Sequence, residues 1–245
     1  MPIRLRSARM FNAVAIVSAL HLLSEASLPA CDNGRGVVRY ERLPNTVVDG
    51  NPIQEDVVRL KTPSSASVLA QCVGRCLQDE TALGFISRCT MFDYYPGRKI
   101  DTYSTADNRF TETKCRLSRP PNQYAKINYR DDPVSIHFRE VCYAASVVKA
   151  ECPSRLYVME RLRDNKFEAS DLLEVSARTI EECEDKCLNQ YSEDAVNTDR
   201  TCRSGYFDKK RNTCYHSGFT RRTHPKLLKA DDDCDYFENT CLTSE

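Results

Sequence analysis

The chain has 245 residues, with 35 basic and 35 acidic side chains, 13 cysteines and no tryptophan. Balanced charge leaves no global field to draw nucleic acid or an anionic membrane, and cysteine at this density points to a disulfide framework rather than a reducing compartment. Without tryptophan to fill a large core, small braced units fit the composition better than one large domain.

The N-terminus is read first. Arg4, Arg6 and Arg9 precede a mostly apolar run from Met10 to Leu23, and Ser24, Ala26 and Ala30 offer small residues for cleavage. That is the layout of a secretory signal peptide over residues 1–30, cut after Ala26 or Ala30. The run is short for a membrane span, and no later segment is apolar enough for a transmembrane segment. A lipoprotein box at "LPAC" fits poorly because of Pro29. The expected location is therefore secreted, in the extracellular matrix or extracellular space.

Beyond the leader the cysteines fall into two similar sets. Cys31, Cys72, Cys76, Cys89, Cys115 and Cys142 form the first; Cys152, Cys183, Cys187, Cys202, Cys214 and Cys241 form the second, and Cys234 is left over. Both sets contain a pair four apart followed by leucine, "CVGRCL" and "CEDKCL", and in both the last two cysteines stand 27 apart. The closing stretches "HFREVCY" and "YFENTCL" also agree. A repeated module is the simplest reading, with residues 31–145 as the first copy, 150–245 as the second, and "YAASVVKAE" as the join.

In chain order, "RGVVRYERL" reads as a strand. A helix follows on which Leu69, Cys72, Val73, Cys76 and Leu77 share a face. The β-prone runs "CTMFDYYPG" and "TKCRLS" come next. The second copy repeats the order: "RLYVMERL" as a strand, then a helix opened by a capping box of Thr179 and Glu182 with Ile180, Cys183, Cys187 and Leu188 on one face. "CRSGYFDKKRNTCYHS" reads as a hairpin with "KKRN" at its turn. The expected fold class is α+β, each module a small antiparallel sheet with one helix packed on it.

Cysteines at i and i+4 project from one helical face, here the apolar one. Disulfides to neighbouring strands suit that placement. A zinc site would want a second close pair or a histidine pair, and a redox motif would want C-x-x-C. The spacing by itself leaves the pairing open, since six cysteines allow 15 connectivities.

With these motifs in view, both copies resemble the PAN/apple domain family, most closely in pattern the PAN modules of invertebrate apical-matrix proteins that also carry a zona-pellucida domain. The resemblance covers roughly residues 31–242. It implies Cys31–Cys142, Cys72–Cys115 and Cys76–Cys89 in the first module, and Cys152–Cys241, Cys183–Cys214 and Cys187–Cys202 in the second. A loop of about 90 residues closed by Cys152–Cys241 would contribute roughly 4–5 kcal/mol on the chain-entropy model. Cys234 has no place in the six-cysteine pattern; in the acidic loop "ADDDCDYFEN" it suggests an exposed thiol, free or bridging a disulfide-linked homodimer or matrix cross-link. The chain ending four residues after Cys241 is expected to be a short two-module protein or a truncated form of a longer one.

Little in the sequence supports catalysis. No nucleophile, metalloprotease or phosphate-loop motif occurs, and no catalytic, cofactor or metal residue is expected. His137 reads as a half-buried strand position; "DDDCD" lacks the full calcium-loop pattern and reads as a solvated acidic turn. Charge is uneven along the chain. From Arg203 to Lys229 eight bases face one acid, Asp208, whereas Glu160 to Asp199 holds twelve acids and five bases. Lys209, Lys210, Arg211, Arg221, Arg222 and Lys226 form a candidate anion or glycan patch; the competing reading has the basic hairpin neutralised against the acidic helix. The expected function is non-catalytic binding of extracellular protein or glycan in an apical matrix or cuticle. The alternative is a soluble ligand or inhibitor of a protease, receptor or heparin-like glycan.

Overall fold

The computed structural model describes residues 30–49, 56–59, 65–77, 89–96, 113–118, 127–144, 156–193 and 201–242. The leader up to residue 29, the join around 145–155 and Cys152 lie outside the described residues.

Among the described residues the strands are β1 (Ala30–Cys31), β2 (Gly36–Val48), β3 (Asp56–Arg59), β4 (Met91–Tyr95), β5 (Lys114–Ser118), β6 (Tyr129–Ala144), β7 (Tyr157–Leu162), β8 (Asn165–Phe167), β9 (Leu173–Val175), β10 (Ser204–Asp208), β11 (Thr213–Ser217), β12 (Leu228–Ala230) and β13 (Cys234–Asn239). The helices are α1 (Ser65–Leu77) and α2 (Ile180–Glu193). One sheet runs β3-β5-β4-β6-β2-β7-β13-β10-β11-β9, with β1 on β2; β8 and β12 form a separate ribbon. Its pairs are antiparallel except at the middle, where β2 and β7 run parallel, Arg42 opposite Glu160.

Each half carries one helix, and the two helices lie on opposite faces of the sheet. Phe138 of β6 and Tyr40 of β2 pack with the α1 residues Val68, Cys72, Val73 and Cys76. Val141 and Tyr143 of β6 and Val37 of β2 pack instead with Ile180, Cys183, Cys187 and Leu188 of α2. Positions an odd number apart on a strand face opposite ways, so the two cores sit on opposite sides. A half-turn about an axis along the strands produces this arrangement: parallel strands at the seam and inverted faces. On the face of the second half away from α2, the β8–β12 ribbon covers a third core of Phe167, Ala169, Tyr206, Cys234 and Tyr236.

The cysteine spacing on each helix explains how helix and sheet are joined. Cys72 is bonded to Cys115 of β5 and Cys76 to Cys89 just before β4, with Cα separations of 6.2 and 4.9 Å. Cys183 is bonded to Cys214 of β11 and Cys187 to Cys202 just before β10, at 5.6 and 5.3 Å. Cys31 is bonded to Cys142 at 6.0 Å, tying β1 to β6. Cys241 is disulfide-bonded as well. The α2 cap is offset by one residue from the expected box. The Glu182 amide donates to Thr179 Oγ1 at 3.2 Å, but the Glu182 carboxylate accepts from the Arg178 amide at 2.9 Å.

The hairpin β10–β11 turns at Lys209–Asn212, where Asn212 takes a positive φ of 52°, a conformation asparagine tolerates well. Gly205 on β10 has no room for a side chain: a Cβ would drive into the Tyr215 carbonyl and the Phe237 ring.

Candidate binding surface

The six bases of the expected patch do not act as one surface. Lys209 Nζ bonds Asp164 Oδ1 at 2.9 Å and Asp235 Oδ1 at 3.0 Å. Burial alone would lower its pKa, but these carboxylates outweigh that and raise it. Arg221 is inserted between Glu160 and Glu238, bonding the first and lying 3.3 Å from the second. Arg222 Nε meets Glu238 Oε1 at 3.0 Å. The reason is local. Glu160 and Glu238 are directly opposite on β7 and β13, and both are buried. Like charges so placed repel, and Arg221, Arg42 and Arg222 neutralise them. These three bases are therefore paired internally, but with acids at the strands, Glu160, Glu238, Asp235 and Asp164, rather than with the acidic helix of the sequence reading.

Lys210, Arg211 and Lys226 remain outward. Lys210 is 3.8 Å from Asp233 with both side chains more than half exposed, and Arg211 is 3.7 Å from Asp208; pairs of this kind are screened and worth little. Lys226 is exposed on a short 3-10 turn, Pro225–Leu227.

Sequence reasoning missed the seam between the halves. The motif Glu-Arg-Leu occurs at 41–43 and again at 160–162, and its charges pair reciprocally. Arg42 bonds Glu160, and Arg161 Nη1 lies 3.6 Å from Glu41. The two pairs lie on opposite faces of the sheet. Reciprocity of this kind is the mark of an isologous, two-fold contact. Around Glu41 the network continues through Arg139 at 2.7 Å, Glu181, and Asp235 on Arg161 at 2.5 Å. Burial would raise the Glu41 pKa, but Arg139 and Arg161 hold it down at about 2. Asp235 is likewise held low by Arg161 and Lys209 against its burial. The signal available in sequence was the pair of Glu-Arg steps inside otherwise apolar strands.

Cys234 is corrected. It is not in an exposed loop: β13 begins with it, opposite Asp208, and its side chain is buried among Phe167, Tyr206 and Tyr236. It is a free thiol. Burial, with Asp231 and Asp208 nearby, pushes its pKa up to about 12. A thiol both buried and protonated is a poor partner for an intermolecular disulfide. The acidic turn is corrected in the same way, because Asp235 belongs to the strand and is buried. His137 is fully buried rather than half-buried, with Nδ1 2.7 Å from Asp93 Oδ1.

His216 lies between two disulfides. Its Nε2 is 2.9 Å from the Cys183 carbonyl oxygen and 3.1 Å from Cys214 Sγ. Burial pushes its pKa down to about 4, so the ring is neutral. The groups Cys183, Cys214, His216 and Cys187, Cys202, His216 each converge, but the four sulfurs are joined in disulfides, not the thiolates a zinc ion takes. Beside His216 a small cleft is lined by Asp171, Leu173, Thr201, Cys202 and Gly218. Asp171 is already engaged, accepting from Ser217 Oγ at 2.6 Å and the Gly218 amide at 2.7 Å. No described helix is long and apolar enough to cross a membrane.

Residues 152–241 match a family model described as PAN domain. Among solved structures, the two N-terminal apple domains of Toxoplasma gondii microneme protein 4 are 13% identical, covering 78% of this chain and 84% of that chain at a TM-score of 0.24. No curated protein matches the chain. PAN and apple domains are in general disulfide-rich, typically extracellular, non-catalytic modules that bind protein or carbohydrate.

Proposed function

We propose that this chain is a secreted, non-catalytic binding protein built of two PAN/apple modules, joined edge to edge as one rigid unit and making protein or glycan contacts in an extracellular matrix. The observation that carries the reading is the division of the bases in the PAN-matching half. Lys209 and Arg221 are consumed by buried acids, whereas Lys210, Arg211 and Lys226 stand on turns facing solvent. Outward bases on fixed turns suit a sulfated glycan or an acidic protein surface. The reciprocal Glu-Arg pairs support the tandem reading of the first half, residues 31–145, and the second, 150–245.

A second reading, a soluble ligand or inhibitor of a protease, receptor or heparin-like glycan, is favoured by one observation. Burial of Cys234 leaves no accessible thiol there for a covalent matrix link. Immobilised heparin tests the shared chemistry. Replacing Lys210, Arg211 and Lys226 together by alanine should weaken binding about tenfold at low salt, taking each exposed charge as worth about 0.5 kcal/mol, without changing the melting temperature. Unchanged, salt-insensitive binding would refute the patch. Release of the protein from matrix by salt alone supports non-covalent matrix contact, and its recovery as a free monomer in medium supports the soluble reading.

A further inference from the structure

At the seam, α2 of the second half touches the first half through a carboxyl group. Glu184 and Glu41 are both fully buried and within hydrogen-bonding reach of each other. Glu184 Oε2 accepts from Tyr143 Oη at 2.8 Å, and Glu41 Oε2 accepts from Arg139 Nε at 3.0 Å. The other oxygen of each lacks a hydrogen bond: Glu184 Oε1 has no donor, and Glu41 Oε1 has Arg161 Nη1 only at 3.6 Å. Two buried carboxylates cannot both ionise at such a distance, and a donorless buried oxygen is costly. One proton between them removes both difficulties.

Charge counting around the pair agrees. Glu184 and Glu181 come from α2, Glu41 from β2, Arg139 and Tyr143 from β6, Arg161 from β7 and Asp235 from β13, with Tyr129 near Arg139. Two arginines thus serve four carboxylates, Lys209 assisting only at Asp235. One carboxyl is in surplus, and Glu184 is the one with no cation of its own.

We propose that Glu184 and Glu41 share a proton, making the contact between α2 and the first half of the sheet a latch that is closed in acid and loosens as pH rises. Burial and the Glu41 charge raise the Glu184 pKa well above its ordinary value. A raised folded pKa contributes stability that is fully present below the ordinary carboxylate pKa and is lost as pH climbs toward the folded one. Over that window the closed state must take up one proton that the open state lacks, so its equilibrium constant falls tenfold per pH unit. Glu41 acts on the other side: its stabilisation disappears as pH falls from the ordinary carboxylate range toward about 2.

The experiment is hydrogen exchange of the full chain with disulfides intact, normalised to unstructured peptide, from pH 5 to pH 9. Protection of α2 and of Val141–Tyr143 should fall with pH while α1 and the β4–β5 pair keep theirs, and Glu184→Gln should abolish the fall. At neutral pH the infrared spectrum should show a protonated carboxylic acid that is absent from Glu184→Gln. Should that variant not fold, Glu41→Gln serves, since Glu184 would then ionise against Arg139 and Arg161 and the acid band would vanish. Flat or uniformly lost protection, an unchanged slope in Glu184→Gln, or no acid band in the wild type would overturn the latch.

Discussion

Arg161 is the residue whose loss the seam should feel most. Its Nη2 and Nε bond Asp235 Oδ2 at 2.5 and 3.1 Å, and its Nη1 lies 3.6 Å from Glu41 across the parallel β2–β7 pair. The side chain is only 11% exposed, and Glu41 and Asp235 are exposed by 3% or less. Arg161→Ala leaves two carboxylates in a low-dielectric site. Breaking a buried pair from one side typically costs about 3–5 kcal/mol. Asp235 keeps Lys209 and the Asp164 amide, and Glu41 keeps Arg139, so the low end, about 3 kcal/mol, is expected. Urea unfolding with disulfides intact measures it. In a double-mutant cycle, Glu41→Gln with Arg161→Ala should show coupling of at least about 1 kcal/mol, the range for residues in one network. A loss for Arg161→Ala below 1 kcal/mol, or strictly additive variants, would refute the view that this network holds the halves together.

Two other expectations concern single groups. Cys234 in the native protein should resist alkylation at pH 8, since its thiol is buried and its pKa is about 12; rapid labelling, or a non-reducing dimer that Cys234→Ser abolishes, would show the thiol to be accessible. His216, with its pKa pushed down to about 4, must stay neutral in the folded state. Its contribution is complete above the unfolded value near 6.5 and is lost as pH falls from there toward about 4, about 3 kcal/mol in all. His216→Gln should flatten that part of the stability–pH curve, and an unaltered slope would refute the assignment.

What the sequence makes legible is local. Cysteines four apart on an apolar stripe announce both helices and the side each buries, because the 3.6-residue period is carried by neighbours in the chain. The strands around "RGVVRYERL" and "RLYVMERL" and the turn at "KKRN" are legible for the same reason. The seam is not. Glu41–Arg42 and Glu160–Arg161 are adjacent charged steps, which in sequence suit a water-exposed strand as well as a buried one, and only the pairing of β2 with a strand more than a hundred residues away covers them. Cys234 and Asp235 are not legible as strand because a run of aspartates reads as a turn, whereas β13 already begins at Cys234, in register opposite Asp208.

The charge segregation along the second half thus has a structural reason before it has a binding one. A sheet continuous across two halves must bury whatever its seam strands carry, and these strands carry Glu-Arg steps on both faces. Buried acids at 160, 238 and 235 demand cations, and the segment 203–229 supplies Arg221 and Arg222 from a loop to the two glutamates and Lys209 from a turn to Asp235. A cluster of bases in sequence is therefore a poor guide to a binding face in a protein whose acids are inside. The surplus is the better guide: bases left over once every buried carboxylate has a partner. Among the six bases of the candidate patch these are Lys210, Arg211 and Lys226, while at the seam the imbalance runs the other way and leaves Glu184 to be neutralised by a proton.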